Sequence, residues 1–414
     1  LGLLRPEKPF DQPAIASSNT QFKETRLMST NLDDINRAVV DLADENFLVD
    51  PYLNWCAEQG IPIVEDFGVD MKTVETKQWD RHGVPGAFVH LIGRGDFLAM
   101  YVLDVPGGGK TIPQQHIFEE VFYVIDGHGS TTVETYEGQT HSFEWGPRSM
   151  FALPLNCKYQ HFNGSGTERA RLYSCNNLPL VINLYRNDKF VFNNGAKFPE
   201  RDSGADYFSG EGEMIPKMPG RNMWETNFVP ALDTFELIKW EKRGAGGSNI
   251  MFSLADGTMH AHVSEMPVGT YKKGHRHGAD FHVMCAKGEG YSLLWYDFAE
   301  DMVRVDWDHG VVFAPPDQMF HQHFNTSPEP ARYLAIAMGS LRYPTLAEKK
   351  RVWLGMDVNV NDGGNQIEYE NQHENVHPIY LEALAKNGAT SNMGKFIDES
   401  KYKDDPALAK ALGN

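Results

Sequence analysis

From Asn31 the string NLDDINRAVVDLADENFLVDPYLNWCAEQG spaces its apolar residues at helical intervals, with acidic residues early and Gly60 at its end, which predicts one or two helices. After about Gly86 the pattern changes. Short runs rich in Val, Ile, Tyr and Phe alternate with clusters of Gly, Pro, Asn and Asp, as many short strands joined by turns would. A second block of this character runs from about Asn249 to Arg342. Between the blocks, FPERDSGADYFSGEGEMIPKMPGRN has no period and many Gly and Pro residues, so a connection without regular elements is expected there. Residues 1 to about 30 are polar, proline-containing and read as extended. After Tyr343 helical spacing returns in PIYLEALAKNG, and the chain ends in a charged, Ala-rich segment.

The two strand-rich blocks are copies of each other. A shift of 161 residues superposes Pro106 on Pro267, Gly108 on Gly269, His116 on His277, Gly127 on Gly288, Gly129 on Gly290 and Arg171 on Arg332. A shift of 162 superposes FALPLNCKYQHFN, from Phe151, on FAPPDQMFHQHFN, from Phe313. One offset held across a whole block, with a single-residue slip, marks a duplicated β-domain. The organisation expected is an N-terminal arm with helices (1–85), a first β-domain (86–200), a linker (201–248), a second β-domain (249–345) and a helical tail (346–414).

In the second copy, Gly269 is followed by His275 and His277, and later by Pro316, His321, His323 and Asn325. Side chains two apart on a strand share a face, so His275 and His277 can point together into the interior. A third histidine from a neighbouring strand, His321, would leave open coordination positions, as catalytic metals require.

These motifs resemble the cupin superfamily, Gly-x5-His-x-His-x3/4-Glu-x6-Gly followed by Gly-x5-Pro-x-Gly-x2-His-x3-Asn, over roughly residues 86 to 345. The resemblance implies an all-β bicupin: two double-stranded β-helix (jelly-roll) barrels with helical N-terminal and C-terminal extensions. Carried over, the metal ligands are His275, His277 and His321. Gln318 replaces the glycine of the second motif, and Phe281 stands in the glutamate slot as pocket wall. HRH at His275 to His277, KGEG at Lys287 to Gly290 and FHQHFN at Phe320 to Asn325 are similar to gentisate 1,2-dioxygenase-like ring-cleaving bicupins, whose iron is held by three histidines. In that comparison His321 binds metal and His323 stands beside the substrate as the catalytic group. The metal site of those enzymes lies in the N-terminal copy, whereas the matching copy here is C-terminal.

Three further positions are open. A four-residue count from His277 lands on His282, a fourth ligand if a bulge intervenes near Gly278, while strand alternation turns it away. His260 and His262 share a face of the preceding strand, read as polar outer face or, for His262 especially, as a group near the metal. The first copy has Gln114 and Tyr159 in place of two histidines but keeps His116, Glu120 and His161, which read either as an accessory region or as a weak second metal site. His373 and His377 read as a solvated helix start, and PGGGK at Pro106 as a turn.

Composition narrows the function. A formal charge of −18 and a pI near 5.3 argue against nucleic acid or an anionic membrane surface as the partner, since both are bound by basic surfaces. Four scattered cysteines without a CxxC pair read as reduced thiols of a cytoplasmic protein, and no apolar run reaches membrane-spanning length. The expectation is a metal-dependent oxidoreductase, an iron(II) dioxygenase cleaving a C–C bond in a small hydroxylated, aromatic substrate with O2. The alternatives are a redox-neutral lyase, decarboxylase or isomerase with Mn, Ni, Zn or Cu, and a non-catalytic cupin that binds a small ligand. The family resemblance implies a homo-oligomer.

Overall fold

The computed structural model describes residues 49–218, 221–278, 280–339 and 357–413. Of the helices expected after Asn31, the part before residue 49 lies outside the described residues. The remainder forms the helix Pro51–Glu58, which buries Tyr52, Trp55 and Cys56.

Each β-block folds into one large and one small sheet, and the two blocks repeat the same strand order. The large sheet of the first repeat runs Val84–Leu91, Ala99–Val105, Ala170–Asn176, Glu120–Asp126, Met150–Ala152. That of the second runs Ser248–Ser253, Met259–Met266, Ala331–Met338, Phe281–Lys287, Val311–Phe313. The small sheets place Gly129–Glu134 between Lys158–Asn163 and Thr140–Trp145, and Gly290–Trp295 between Phe320–Asn325 and Val303–Trp307. The shift read from the sequence is thus the shift between equivalent strands. This all-β architecture of two repeated β-domains agrees with that part of the expected fold class.

Packing explains why so many strands lack polar alternation. One core is shared by residues of both large sheets, Val102, Tyr123 and Tyr173 from the first repeat with Ile250, Phe252 and Met284 from the second. The opposite faces line the space between large and small sheets, with Phe88, Phe122 and Trp145 in the first repeat and Val283, Leu294 and Trp307 in the second. A strand covered on both faces reads as a continuous apolar run, as Ala99 to Leu103 do in the fully buried strand Ala99–Val105. In the second repeat the outer face of the small sheet is covered as well. The helix Val376–Asn387 lays Tyr380, Leu381 and Leu384 on Tyr271, Tyr291 and Phe324.

The same arginine anchors each repeat. Arg171 stands directly opposite Asp104 in the ladder and makes two bonds to its carboxylate (2.7 and 2.6 Å), and it donates to the carbonyls of Met71 and Lys72. Arg332, opposite Glu265, bonds that acid at 2.6 Å and donates to the carbonyls of Leu232 and Phe235. Both arginines therefore tie a crossing segment to the sheet. Those segments carry edge strands: Gly68–Asp70 joins the second repeat's sheet beside Val311–Phe313, and Phe228–Val229 joins the first repeat's beside Met150–Ala152.

The stretch expected to be a connection without elements is in part a hairpin, Glu213–Met218 paired with Arg221–Glu225. It sits at the margin of the large sheet, and Glu213 and Met214 in its outer strand are exposed, so that end of the strand shows no buried period. No helix among the described residues is long and apolar enough to cross a membrane.

Candidate metal centre

Phe320–Asn325 puts His321 and His323 on one face, and His275 is the direct ladder partner of His321. The rings of His275 and His321 lie 4.2 Å apart between centroids, and those of His277 and His321 4.6 Å apart. One ring nitrogen from each of His275, His277 and His321 falls within 4.8 Å of the other two, and no other group of three His, Cys, Asp or Glu among the described residues does so. The cluster can hold a divalent metal.

Hydrogen bonds sort these histidines by tautomer. His275 Nδ1 faces the carbonyl of Lys273 (3.3 Å), His277 Nδ1 that of Gly278 (2.9 Å) and His321 Nδ1 that of Met319 (3.2 Å). A carbonyl only accepts, so each Nδ1 carries the proton and donates, and each Nε2 presents its lone pair. Carbonyl-anchored Nδ1–H groups of this kind orient metal-binding imidazoles. His323 is wired the other way. Trp307 Nε1, a donor only, gives its hydrogen to Ser292 Oγ (2.9 Å), and Ser292 Oγ lies 2.8 Å from His323 Nδ1. Ser292 is fully buried, and donation to His323 Nδ1 is what satisfies its own proton. The proton of His323 is then on Nε2, making that atom a hydrogen-bond donor rather than a ligand.

Burial keeps all four rings neutral. It lowers His277 to about 4, helped by Arg243 and opposed by the Gly278 carbonyl, and lowers His323 to about 3, helped by Lys272, His277 and Arg243. His275 and His321 lie well below their ordinary value, through burial first and then through Arg243 and His277 respectively.

The wall of the site follows from strand alternation. Phe281 faces inward, its ring 4.0 Å from that of His277, and His260 and His262 lie against it at 6.1 and 6.4 Å. The polar outer face expected for that pair is therefore corrected, because Ala261 and Val263, not the histidines, fill the core between the large sheets. His262 also meets Tyr333 (6.2 Å), whose ring is 4.7 Å from that of His323. His282 takes the other face, paired with Ile336 in the ladder and buried with no hydrogen-bond partner on either ring nitrogen. It is not beside the three-histidine cluster, and the count that made it a fourth ligand fails on alternation. The strand is held in this phase by Asp280, at φ 64°, whose carboxylate accepts from the backbone N–H groups of Gly95 (2.8 Å), Phe97 (3.2 Å) and Leu98 (3.3 Å). In the turn before His321, Gln318 adopts φ 58° where the motif has glycine, and Asn156 does the same at φ 59° in the first repeat.

The first repeat keeps the scaffold and loses the centre. Trp145, Thr131 and His161 reproduce the Trp307, Ser292, His323 relay at 2.9 and 2.8 Å, so His161 is the counterpart of His323 and not of a ligand. Glu120 accepts from Tyr101, from Tyr159 (2.6 Å) and from Ser174 (3.1 Å), and lies 3.0 Å from His116 Nε2. The Tyr159 hydroxyl bridges Glu120 and His116, occupying the space a ligand atom needs. The weak second site on His116, Glu120 and His161 is thereby corrected to a hydrogen-bonded network. Burial alone would raise the Glu120 carboxyl, but His116, Tyr101 and Tyr159 overcome it and hold it at about 2. In the tail, His377 bonds Tyr271 and Glu399 (both 3.1 Å) and is buried, so it packs the helix rather than meeting solvent.

These depressed histidines make acid sensitivity an expected outcome. Burial lowers His82, His282 and His323 to about 3 and His161 to about 4 in the folded chain, against an ordinary 6.5. The unfolded chain therefore binds more protons below 6.5, and stability is full above that pH and lost as pH falls toward 3. Each group contributes up to about 1.4 kcal/mol per pH unit. The urea midpoint of metal-free protein should drop steadily from pH 7 to pH 5; a flat profile would contradict this assignment.

No family model and no curated protein matches the chain. Among solved structures, single-residue variants of oxalate decarboxylase from Bacillus subtilis are similar at 14% identity and TM-score 0.44, and at 15% and 0.44, each covering 67% of this chain and 78% of that one. A further variant stands at 13% and 0.43 over the same shares. Likeness of this degree carries nothing about chemistry.

Sequence reasoning missed Ser292, Trp307 as a donor, and Lys272. Lys272 and Lys273 stand side by side before His275, and strict alternation would turn Lys273 inward with the histidines. A one-residue slip between the pairs Tyr271 with Phe324 and His275 with His321 reverses this. Lys273 goes out to Glu368 and Lys272 is buried.

Proposed function

We propose that the second repeat is the active site of a metal-dependent enzyme that breaks a C–C bond in a small, anionic, metal-chelating molecule. What carries this reading is that His275, His277 and His321 each bring one ring nitrogen within 4.8 Å of the others while their Nδ1 atoms face backbone carbonyls, and that the fourth ring, His323, has its Nδ1 on Ser292 instead. His275, His277 and His321 would hold the metal, which when bound supplies a Lewis acid that draws charge from substrate oxygens. Three neutral donors leave the centre cationic and several positions open, and they suit Fe(II), Mn, Ni, Zn or Cu. His323, fixed by Ser292 and Trp307, would donate to the oxygen on which negative charge grows as the bond breaks. Phe281 and Tyr333 would form the aromatic wall on that side.

A fixed donor for developing oxyanion charge favours a redox-neutral decarboxylase or lyase. The apolar Phe281 in the acid position supports a second reading, an oxygen-dependent cleavage, because it leaves room for two exogenous ligands. Assay of the metal-replete protein over small hydroxy-, keto- and dicarboxylic acids separates them. The first reading expects CO2 or a cleaved fragment at an undiminished rate under strict anaerobiosis; turnover that stops without O2 and consumes it stoichiometrically would replace it with the second.

A further inference from the structure

Lys272 is 3% exposed, and its ammonium forms no ion pair with a carboxylate among the described residues. Its backbone N–H donates to the carbonyl of His323 (2.9 Å), and its own carbonyl accepts from Gln322, so the residue is fixed on the strand that borders the site. The side chain runs under Gly247, where a Cβ would come within 2.6 Å of Nζ. Glu265, the acid whose charge acts on Lys272, is engaged with Arg332 at 2.6 Å. Arg243, which is paired with Asp357 at 3.2 Å, adds a second positive charge to the surroundings of His275 and His277. A buried ammonium without a counter-ion costs several kcal/mol, and a metal ion on the nearby histidines would add to the repulsion. Burial and Arg243 accordingly lower the amine to about 7, with Glu265 opposing, and among charges Lys272 has the largest effect on His323. What lowers the cost of such a group is an anion that arrives with the ligand.

We propose that Lys272 is a second anion-binding position of this site, so that the substrate carries two negatively charged oxygen groups, one for the metal and one for the Lys272 ammonium. This rests on the metal-enzyme reading above and names its substrate class: small dianions such as dicarboxylates. The recognition is that of a point charge, which suits a lysine, and it orients the molecule so that the bond between the two groups lies near His323.

The test is calorimetric titration of malonate and of acetate into the metal-replete protein, the parent beside Lys272→Met and Gly247→Ala. Malonate should bind the parent at least about tenfold more tightly than acetate, and Lys272→Met should cut that advantage to about twofold or less with metal content unchanged. Gly247→Ala, whose added methyl displaces Nζ without removing its charge, should lower it in part. A Lys272→Met protein that holds its metal and keeps the full malonate preference overturns the proposal. The metal-free protein keeps the two ideas apart. There malonate should still raise the unfolding temperature of the parent and not of Lys272→Met, whether or not the histidines bind metal. Equal protection of both, or of neither, sinks the lysine assignment alone, while a parent that never binds metal sinks the enzyme reading alone.

Discussion

Replacing His321 with alanine is expected to weaken metal binding at least about 100-fold and to abolish turnover. Removing even a group that merely orients a ligand costs 10- to 100-fold, and His321 is itself the middle of the cluster. Its ring is the one near both His275 and His277, at 4.2 and 4.6 Å, so its loss leaves two imidazoles whose centroids are 5.6 Å apart. The same substitution at His282 should leave metal content intact, since that ring lies on the opposite face among residues of the inter-sheet core. Metal analysis of the two variants after identical purification checks this. Equal loss in both would mean that the histidines act through stability, and equal retention would mean that His321 is no ligand.

Replacing Arg171 with methionine is expected to cost about 3 kcal/mol or more, the range for breaking a buried, hydrogen-bonded charge pair. Arg171 is 5% exposed and Asp104 8%, and the variant also strands the carbonyls of Met71 and Lys72. Arg169 reaches the same carboxylate at 2.8 Å, but its side chain is 40% exposed, so Arg169→Met should cost less than about 1 kcal/mol. Urea unfolding of the pair measures both. Similar costs at the two positions would show that the bidentate bond to Asp104 is not what matters. The second repeat offers an internal replicate, since Arg332 and Glu265 occupy the equivalent register.

The duplication was legible because its glycines are forced by geometry. Gly127 and Gly288 take φ 83° and 80°, and a Cβ on Gly129 or Gly290 would fall 2.2 or 2.0 Å from the carbonyl of Phe162 or Phe324. Such positions cannot drift, and the offset survives in them. The histidine cluster was legible in part for a similar reason, since spacing of two on the strand Phe320–Asn325 gives His321 and His323 a shared face, whereas His277 lies just past the two-residue strand Gly274–His275 and reaches the cluster from a loop. Alternation also turned His282 away. What stayed hidden depends on contacts between distant strands. Ser292 meets His323 and Trp307 only because their strands are neighbours, and the slip that turns Lys272 inward breaks the one rule by which a single sequence assigns faces. At the sheet margin, Glu213 and Met214 are exposed and offer no buried period to read.

X-ray absorption at the metal edge of the protein as purified, with metal stoichiometry on the same sample, tests the central claim most directly. The account predicts about one divalent metal per chain with about three imidazole nitrogens at roughly 2.0–2.2 Å and the remaining positions filled by oxygen from solvent or ligand. Metal bound through thiolate or carboxylate side chains, or a spectrum and stoichiometry that His321→Ala leaves unchanged, would contradict it.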